Sequence, residues 1–133
     1  VPGRRDPRRA QQRRRAERRG RLAEAVAALW LRLKGYRILQ KRYKTPLGEV
    51  DLIARRGGAI AFVEVKARAD LRAGLEAVTP QQRRRSTRAV LAYLMHRPDA
   101  ADYALRFDVL VVRPFLPPRH IPDAWRAETD TLP

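Results

Sequence analysis

Residues 48–66, GEVDLIARRGGAIAFVEVK, decide how the chain is read. Two largely apolar runs flank Gly57-Gly58, a dipeptide that supplies the positive φ a two-residue hairpin turn requires. With those glycines as the loop, Arg56 faces Ala59, Ile53 faces Phe62, Asp51 faces Glu64 and Glu49 faces Lys66. Strand side chains alternate with period 2, so Val50, Leu52, Ala54, Ala61, Val63 and Val65 form one wholly apolar face, which belongs on a core. The other face is apolar near the turn and charged at its far end, where Glu49, Asp51, Glu64 and Lys66 gather. Opposed positions lie about 4.5–5.5 Å apart, which lets Asp51 and Glu64 share one cation; without a cation or a proton they repel.

Working outward, Leu22, Val26, Leu29 and Leu33 recur at helical spacing and predict a helix over residues 18–34 with that stripe buried. Gly35 stops it. Glu24 sits off the stripe, beside Ala23, Ala27 and Ala28, and by itself reads as a solvated carboxylate. Tyr36 to Tyr43 reads as a strand leading into a basic loop, Lys41 to Lys44. On the other side of the hairpin, the stretch from Lys66 to Gly74 has no periodicity and reads as a mobile connection. Thr79-Pro80 is a helix start, an N-cap followed by proline at the first helical position. That helix should run to about Met95, packing through Thr87, Val90, Leu91 and Leu94. Its first turns carry Gln81, Gln82, Arg83, Arg84, Arg85 and Arg88, a basic helix N-terminus suited to phosphate. Residues 105–112, LRFDVLVV, are the most apolar strand; Asp108 inside it could neighbour the site, but such an aspartate more often caps a turn or pairs with an arginine. The segment Pro114 to Pro122 cannot be a central strand, and Trp125 is placed to pin the C-terminus.

The order gives an α/β domain, a mixed sheet of roughly four or five strands flanked by helices. Its expected extent is residues 18–126, between a basic disordered tail (1–17) and a flexible C-terminus (127–133).

The formal net charge is +16, from 30 Lys+Arg against 14 Asp+Glu. Residues 1–21 hold ten arginines against Asp6 and Glu17, so half the excess lies there and half in the domain. This balance points to a polyanionic partner, and arginine's planar fork suits phosphate. There is no cysteine, which removes disulfides, thiolate chemistry and Cys-ligated zinc. No apolar run approaches the roughly 18 residues of a membrane span, and the basic N-terminus lacks the apolar segment of a secretory signal. The expectation is a cytoplasmic protein with no membrane partner.

Asp51, Glu64 and Lys66 on one face amid surplus arginine suit Mg²⁺, which takes one or two carboxylates plus water and substrate phosphate. Lysine beside such a site can orient a water or stabilise developing negative charge. These are the parts of phosphodiester hydrolysis. A non-catalytic DNA- or RNA-binding module with a vestigial site uses the same basic surface, as does an RNA-associated accessory protein driven by the arginine tail.

The blocks GRLAEAVAALWLRLKGYRIL, GEVDLIA, FVEVKAR, EAVTPQQRRR and RFDVLVV, from about Gly20 to Trp125, resemble the uncharacterised YraN family. That family is similar to archaeal Holliday-junction resolvases and to PD-(D/E)xK nucleases. The resemblance implies a restriction-endonuclease-like fold and a nuclease acting on branched or damaged DNA with Mg²⁺ or Mn²⁺. It further implies that Asp51 and Glu64 are metal carboxylates, that Lys66 is the catalytic lysine, and that Glu24 is a helix carboxylate brought to the metal. Gln82 matches the glutamine of the helix after the core; Gln81 stands where relatives often carry lysine. Nucleic-acid contacts are expected from Lys44, Arg68, Gln82, Arg83 and Arg84, with DNA favoured over RNA. By analogy with the resolvases, the resemblance also implies a homodimer.

Overall fold

The computed structural model describes residues 6–127. Helix α1 spans Pro7–Leu33, followed by strands β1 (Arg37–Lys44), β2 (Glu49–Arg56) and β3 (Ala59–Ala67). Helices α2 (Leu71–Glu76) and α3 (Pro80–His96) and a 3₁₀ turn (Pro98–Asp102) then cross to β4 (Ala104–Val112) and β5 (Arg119–Trp125). The five strands form one sheet in sequence order, with β3 and β4 parallel and every other pair antiparallel. This is the expected mixed α/β architecture. β3 is the central strand, and the Pro-bearing β5 lies at the edge, where its missing ladder donor is tolerated.

The hairpin register is the one the glycine turn dictates. Ile53 pairs with Phe62, Leu52 with Val63 and Arg56 with Ala59, and Gly57 has φ +58°. Both sheet faces are covered. On one, Ala23, Ala27, Ala28 and Leu31 of α1 pack on Leu52, Ala54, Ala61, Val63, Val65 and Leu110. On the other, Ala89, Val90 and Tyr93 of α3 pack on Ile53, Ile60 and Phe62, and α2 packs through Leu71 and Leu75 beside Val109, Val111 and Trp125. Val50 was expected with Leu52 and instead joins the α3 cluster, so strand alternation breaks at Asp51.

Four other expectations are corrected. α1 does not begin near Arg18; it starts at Pro7, with the Asp6 side chain accepting from the Arg8 amide at 2.9 Å. That cap, Pro at the first position and a run of helix-forming Arg, Ala and Gln carry the helix through most of the segment expected to be disordered. The buried α1 stripe is Ala23, Ala27, Ala28 and Leu31, while Leu22, Leu29 and Leu33 are exposed. The connection after β3 contains the short helix α2, capped by Asp70, whose carboxylate accepts from Ala73 at 2.8 Å. Helix α3 buries Ser86, Thr87, Ala89, Val90, Ala92 and Tyr93, leaving Leu91 and Leu94 half-buried. Residues 128–133 of the expected flexible C-terminus lie outside the described residues.

Asp108, fully buried in β4, takes the arginine-partner role. Arg106 donates to both its oxygens, at 3.2 and 2.8 Å, His120 Nε2 lies 2.8 Å from Oδ2, and the Asp123 amide donates to Oδ1 at 2.9 Å. Burial alone would raise its pKa, but the bonds from His120, Arg106 and Asp123 outweigh burial and hold it below the usual carboxylate range.

Candidate metal and nucleic-acid site

The site forms where the β2–β3 ladder ends. Backbone pairing runs as far as Leu52 and Val63. Beyond it the Asp51 side chain takes over: Oδ2 accepts from the Val65 amide at 2.8 Å. This turns Asp51 towards Glu64, whose own neighbour on the same face is Lys66. Lys66 Nζ lies 3.6 Å from Glu64 Oε1, and the two side chains are only 13% and 14% exposed.

The electrostatics follow from crowding two carboxylates in a poorly solvated corner. Desolvation raises the Asp51 pKa, the Val65 hydrogen bond lowers it, and the Glu24 charge raises it again, for a net rise. Glu64 is pushed up to about 8, first by burial and then by Asp51, with Lys66 acting in the opposite direction. One ammonium does not offset two carboxylates, so the pair holds a proton where most acidic residues have lost theirs.

A cleft of about 590 Å³ opens over this pair. Glu24, Asp51, Glu64, Lys66, Arg68 and Gln82 all line it, so six of the nine residues singled out in the sequence converge. Lys44 lines an adjoining cleft that shares Glu24, Glu49 and Asp51. Arg83 and Arg84 line neither; Arg83 stacks over the Trp125 ring at 5.8 Å, and Arg84 is exposed on α3. Gln82 has a structural duty as well. Thr79 and Gln82 form a capping box, the Thr79 side chain accepting from the Gln82 amide at 3.2 Å while Gln82 Oε1 accepts from the Thr79 amide at 3.4 Å.

Glu24 reaches the cleft from α1, but its carboxylate is held by Arg42 Nε at 2.6 Å. Among the described residues, no three His, Cys, Asp or Glu side chains stand close enough together to hold a metal ion. The donor set that fits a divalent cation as it stands is therefore the two-carboxylate pair, Asp51 and Glu64. Its oxygen-only chemistry suits Mg²⁺ or Mn²⁺.

Glu49 does not face Lys66 as the extended register required. Its backbone pairs with Lys44, and its carboxylate lies 3.6 Å from Arg85 on α3. The reason is steric. Gly48, lacking a Cβ, lets the start of β2 lie directly on α3: an added Cβ would stand 1.9 Å from the Arg85 carbonyl oxygen. Arg19 and Arg42, absent from the sequence-derived site, line the two clefts, and Arg85, expected as part of the basic start of α3, reaches their edge through Glu49. Arg42 lay inside the basic loop already noted, but its contact with Glu24 depends on how α1 crosses β1, which local periodicity does not encode.

Among the described residues, no helix is long and apolar enough to cross a membrane. The family model described as "Uncharacterised protein family UPF0102" matches residues 23–112. A UPF0102 protein of Paramagnetospirillum magneticum is 56% identical over 117 residues, covering 85% of this chain and 91% of the relative. UPF0102 proteins of Caulobacter vibrioides (52% identity, 80% of this chain and 85% of the relative) and Parvibaculum lavamentivorans (53%, 84% of each) are similar over nearly the same span. The matched region contains every residue of the Asp51, Glu64 and Lys66 cluster together with Glu24 and Gln82, and the chain belongs to the UPF0102 family, the YraN family of the sequence comparison.

Proposed function

We propose that this protein is a divalent-metal-dependent nuclease that hydrolyses phosphodiester bonds in nucleic acid, DNA in preference to RNA. One observation carries the reading: Asp51 and Glu64 crowd together at the open end of the hairpin with Lys66 alone to balance them, inside a cleft rimmed by arginine. Such a pair is costly to fold around unless a proton or a cation joins it, and a cation takes the proton's place where the pH is high enough to remove it. When bound, Mg²⁺ or Mn²⁺ lowers the pKa of a water and stabilises negative charge on a phosphoryl oxygen.

Asp51 and Glu64 would hold the ion. Val65 fixes Asp51 through its amide, so that ligand is oriented by the sheet itself. Lys66, 3.6 Å from Glu64, would orient the attacking water or donate a hydrogen bond to the phosphodiester as charge develops. Glu24 would join as a further carboxylate once a substrate phosphate competes for Arg42. Lys44 and Arg68, at the rim, would neutralise the backbone on either side, with Arg83 and Arg84 extending the basic surface along α3. The substrates to be favoured are branched or damaged structures.

A second reading rests on the Arg42–Glu24 contact, which occupies the third carboxylate. If that contact is permanent, the chain is a DNA- or RNA-binding module with a vestigial centre. The test incubates purified protein with labelled branched, single-stranded and duplex DNA, and with RNA, in Mg²⁺ or Mn²⁺, beside Glu64→Ala and Lys66→Ala. Metal-dependent cleavage lost in both variants is the expected result. Binding without cleavage under every metal supports the module, and cleavage that survives both variants removes the nuclease reading.

A further inference from the structure

The apolar stripe that sequence periodicity assigns to the core faces away from it. On α1 the buried residues are Ala23, Ala27, Ala28 and Leu31, whereas Leu22, Leu29 and Leu33 are 65%, 56% and 73% exposed and Val26 is half-buried. At about 100° per residue, Leu22, Val26, Leu29 and Leu33 fall within a band of roughly 60°, centred roughly 150° from the buried face. The helix therefore carries two apolar faces, one packed on the sheet and one without a partner among the described residues. Three of the eight large apolar side chains most exposed among the described residues lie on this one stripe. Exposed apolar groups scattered singly mean little, but a contiguous row marks an interaction surface.

We infer that this stripe is a self-association surface, on which α1 pairs with the same helix of a second copy in an antiparallel two-helix seam. The 4, 3, 4 spacing is that of alternating a and d positions in a heptad, the pattern that seats one helix against another. It is also a palindrome. Turning a second helix end for end sets Leu22 against Leu33 and Val26 against Leu29, with a two-fold axis between the inner pair. One patch then serves both copies, as a closed dimer requires.

Charge disfavours the parallel sense. The half of α1 before Leu22 carries arginines at 8, 9, 13, 14, 15, 18, 19 and 21 with Glu17 as its only acid. A parallel pair would lay those rows side by side. An antiparallel pair sends them to opposite ends of the seam. Area sets the strength. A four-residue stripe buries about a few hundred Å² per copy against the roughly 800 Å² of a standard stable interface, so the dimer is weak and reversible, and a micromolar Kd is the expectation the experiment tests. The inference does not depend on the nuclease reading.

Sedimentation velocity of the full chain from about 1 to about 200 µM spans the expected range. The weight-average mass should rise towards twice that of the chain, and Leu29→Arg should weaken association at least tenfold. Leu29 is exposed, so that variant should keep its circular dichroism and melting temperature, which separates lost association from lost folding. The chain has no cysteine of its own. Leu22→Cys and Leu33→Cys chains mixed under mild oxidation should therefore cross-link to each other and not to themselves. A chain that stays monomeric throughout overturns the proposal. So does self-cross-linking of each single variant, which would mean a parallel seam. A monomer that instead binds anionic phosphatidylglycerol vesicles through Leu29 overturns it in favour of a lipid surface.

Discussion

The Asp51 carboxylate accepts the Val65 amide hydrogen at 2.8 Å, just past the last backbone pair of the hairpin, Leu52 with Val63. One side chain thus finishes the sheet and sits against Glu64. Substitution separates the two roles. Asp51→Asn keeps an acceptor for Val65 and removes a charge that faces Glu64 and Glu24. Without metal it should be more stable than wild type at pH 8, by about 1 kcal/mol. Asp51→Ala leaves the Val65 N–H unpaired and should fall about 1–2 kcal/mol below the Asn variant. Urea unfolding measures both. Thermal stabilisation by Mg²⁺ should vanish in each; a shift retained in Asp51→Asn would place the ion elsewhere.

Glu64 gives the fold an unusual pH dependence. Its folded pKa is about 8 against an ordinary value of 4.5, so between those limits the folded state binds the extra proton. Its contribution to stability is fully present below about pH 4.5 and is lost as pH rises through 8. Metal-free protein should therefore lose stability from mildly acidic to mildly alkaline pH, on the order of 2 kcal/mol after relaxation and residual solvation of the site. Glu64→Gln should flatten that slope, and Mg²⁺ should oppose it while releasing a proton that calorimetry in buffers of different ionisation enthalpy would count. A metal-free stability that rises over this interval would contradict the placement of Glu64 beside Asp51.

Much of this site was legible because a hairpin is a local object. Gly57-Gly58 fixes the turn and the turn fixes the register as far as Leu52 and Val63; beyond it, where alternation breaks, Asp51 reaches Glu64 by accepting the Val65 amide. What local pattern could not resolve is a helix with two apolar faces. The stripe of Leu22, Val26, Leu29 and Leu33 has larger side chains than the one led by Ala23 and Ala27, yet the small residues face the sheet, where they permit close approach. The break in alternation at Val50 was hidden for another reason. It follows from contact between Gly48 and the Arg85 backbone, 37 residues apart in sequence.

That contact yields a steric prediction. A Cβ at Gly48 would meet the Arg85 carbonyl oxygen at 1.9 Å and its carbon at 2.8 Å, both main-chain atoms with little freedom to yield. Gly48→Ala should cost about 2–4 kcal/mol and pull the first residues of β2 off α3, which also breaks the Glu49–Arg85 pair. Gly58→Ala is the control, since nothing lies within 4 Å of a Cβ there. Equal melting temperatures for the two variants would refute the close approach.

Asp108 repeats the device seen at Asp51 with the opposite electrostatic outcome. Each aspartate accepts a backbone amide where a ladder is irregular, Asp108 from Asp123 across the β4–β5 register shift. Asp51 then faces carboxylates, whereas Asp108 faces Arg106 and His120, and its pKa moves down instead of up. Removing it takes the carboxylate from Arg106, which keeps only the Tyr36 hydroxyl at 2.7 Å, and from His120, whose other ring nitrogen faces Lys34 Nζ at 2.6 Å. Asp108→Ala should therefore cost on the order of 3–5 kcal/mol, and Asp108→Asn less, because the amide still serves Asp123. The contribution of Asp108 is present above the ordinary carboxylate pKa of 3.8 and is lost as pH falls through its lower folded value, so the deficit of the Ala variant should shrink in acid. Asp108 lines no part of the cleft, and Mg²⁺ should still stabilise the folded Asn variant by the wild-type increment. A deficit below 1 kcal/mol at neutral pH would mean that Tyr36 and Lys34 suffice for Arg106 and His120, and that Asp108 is not what fixes β5 to the sheet.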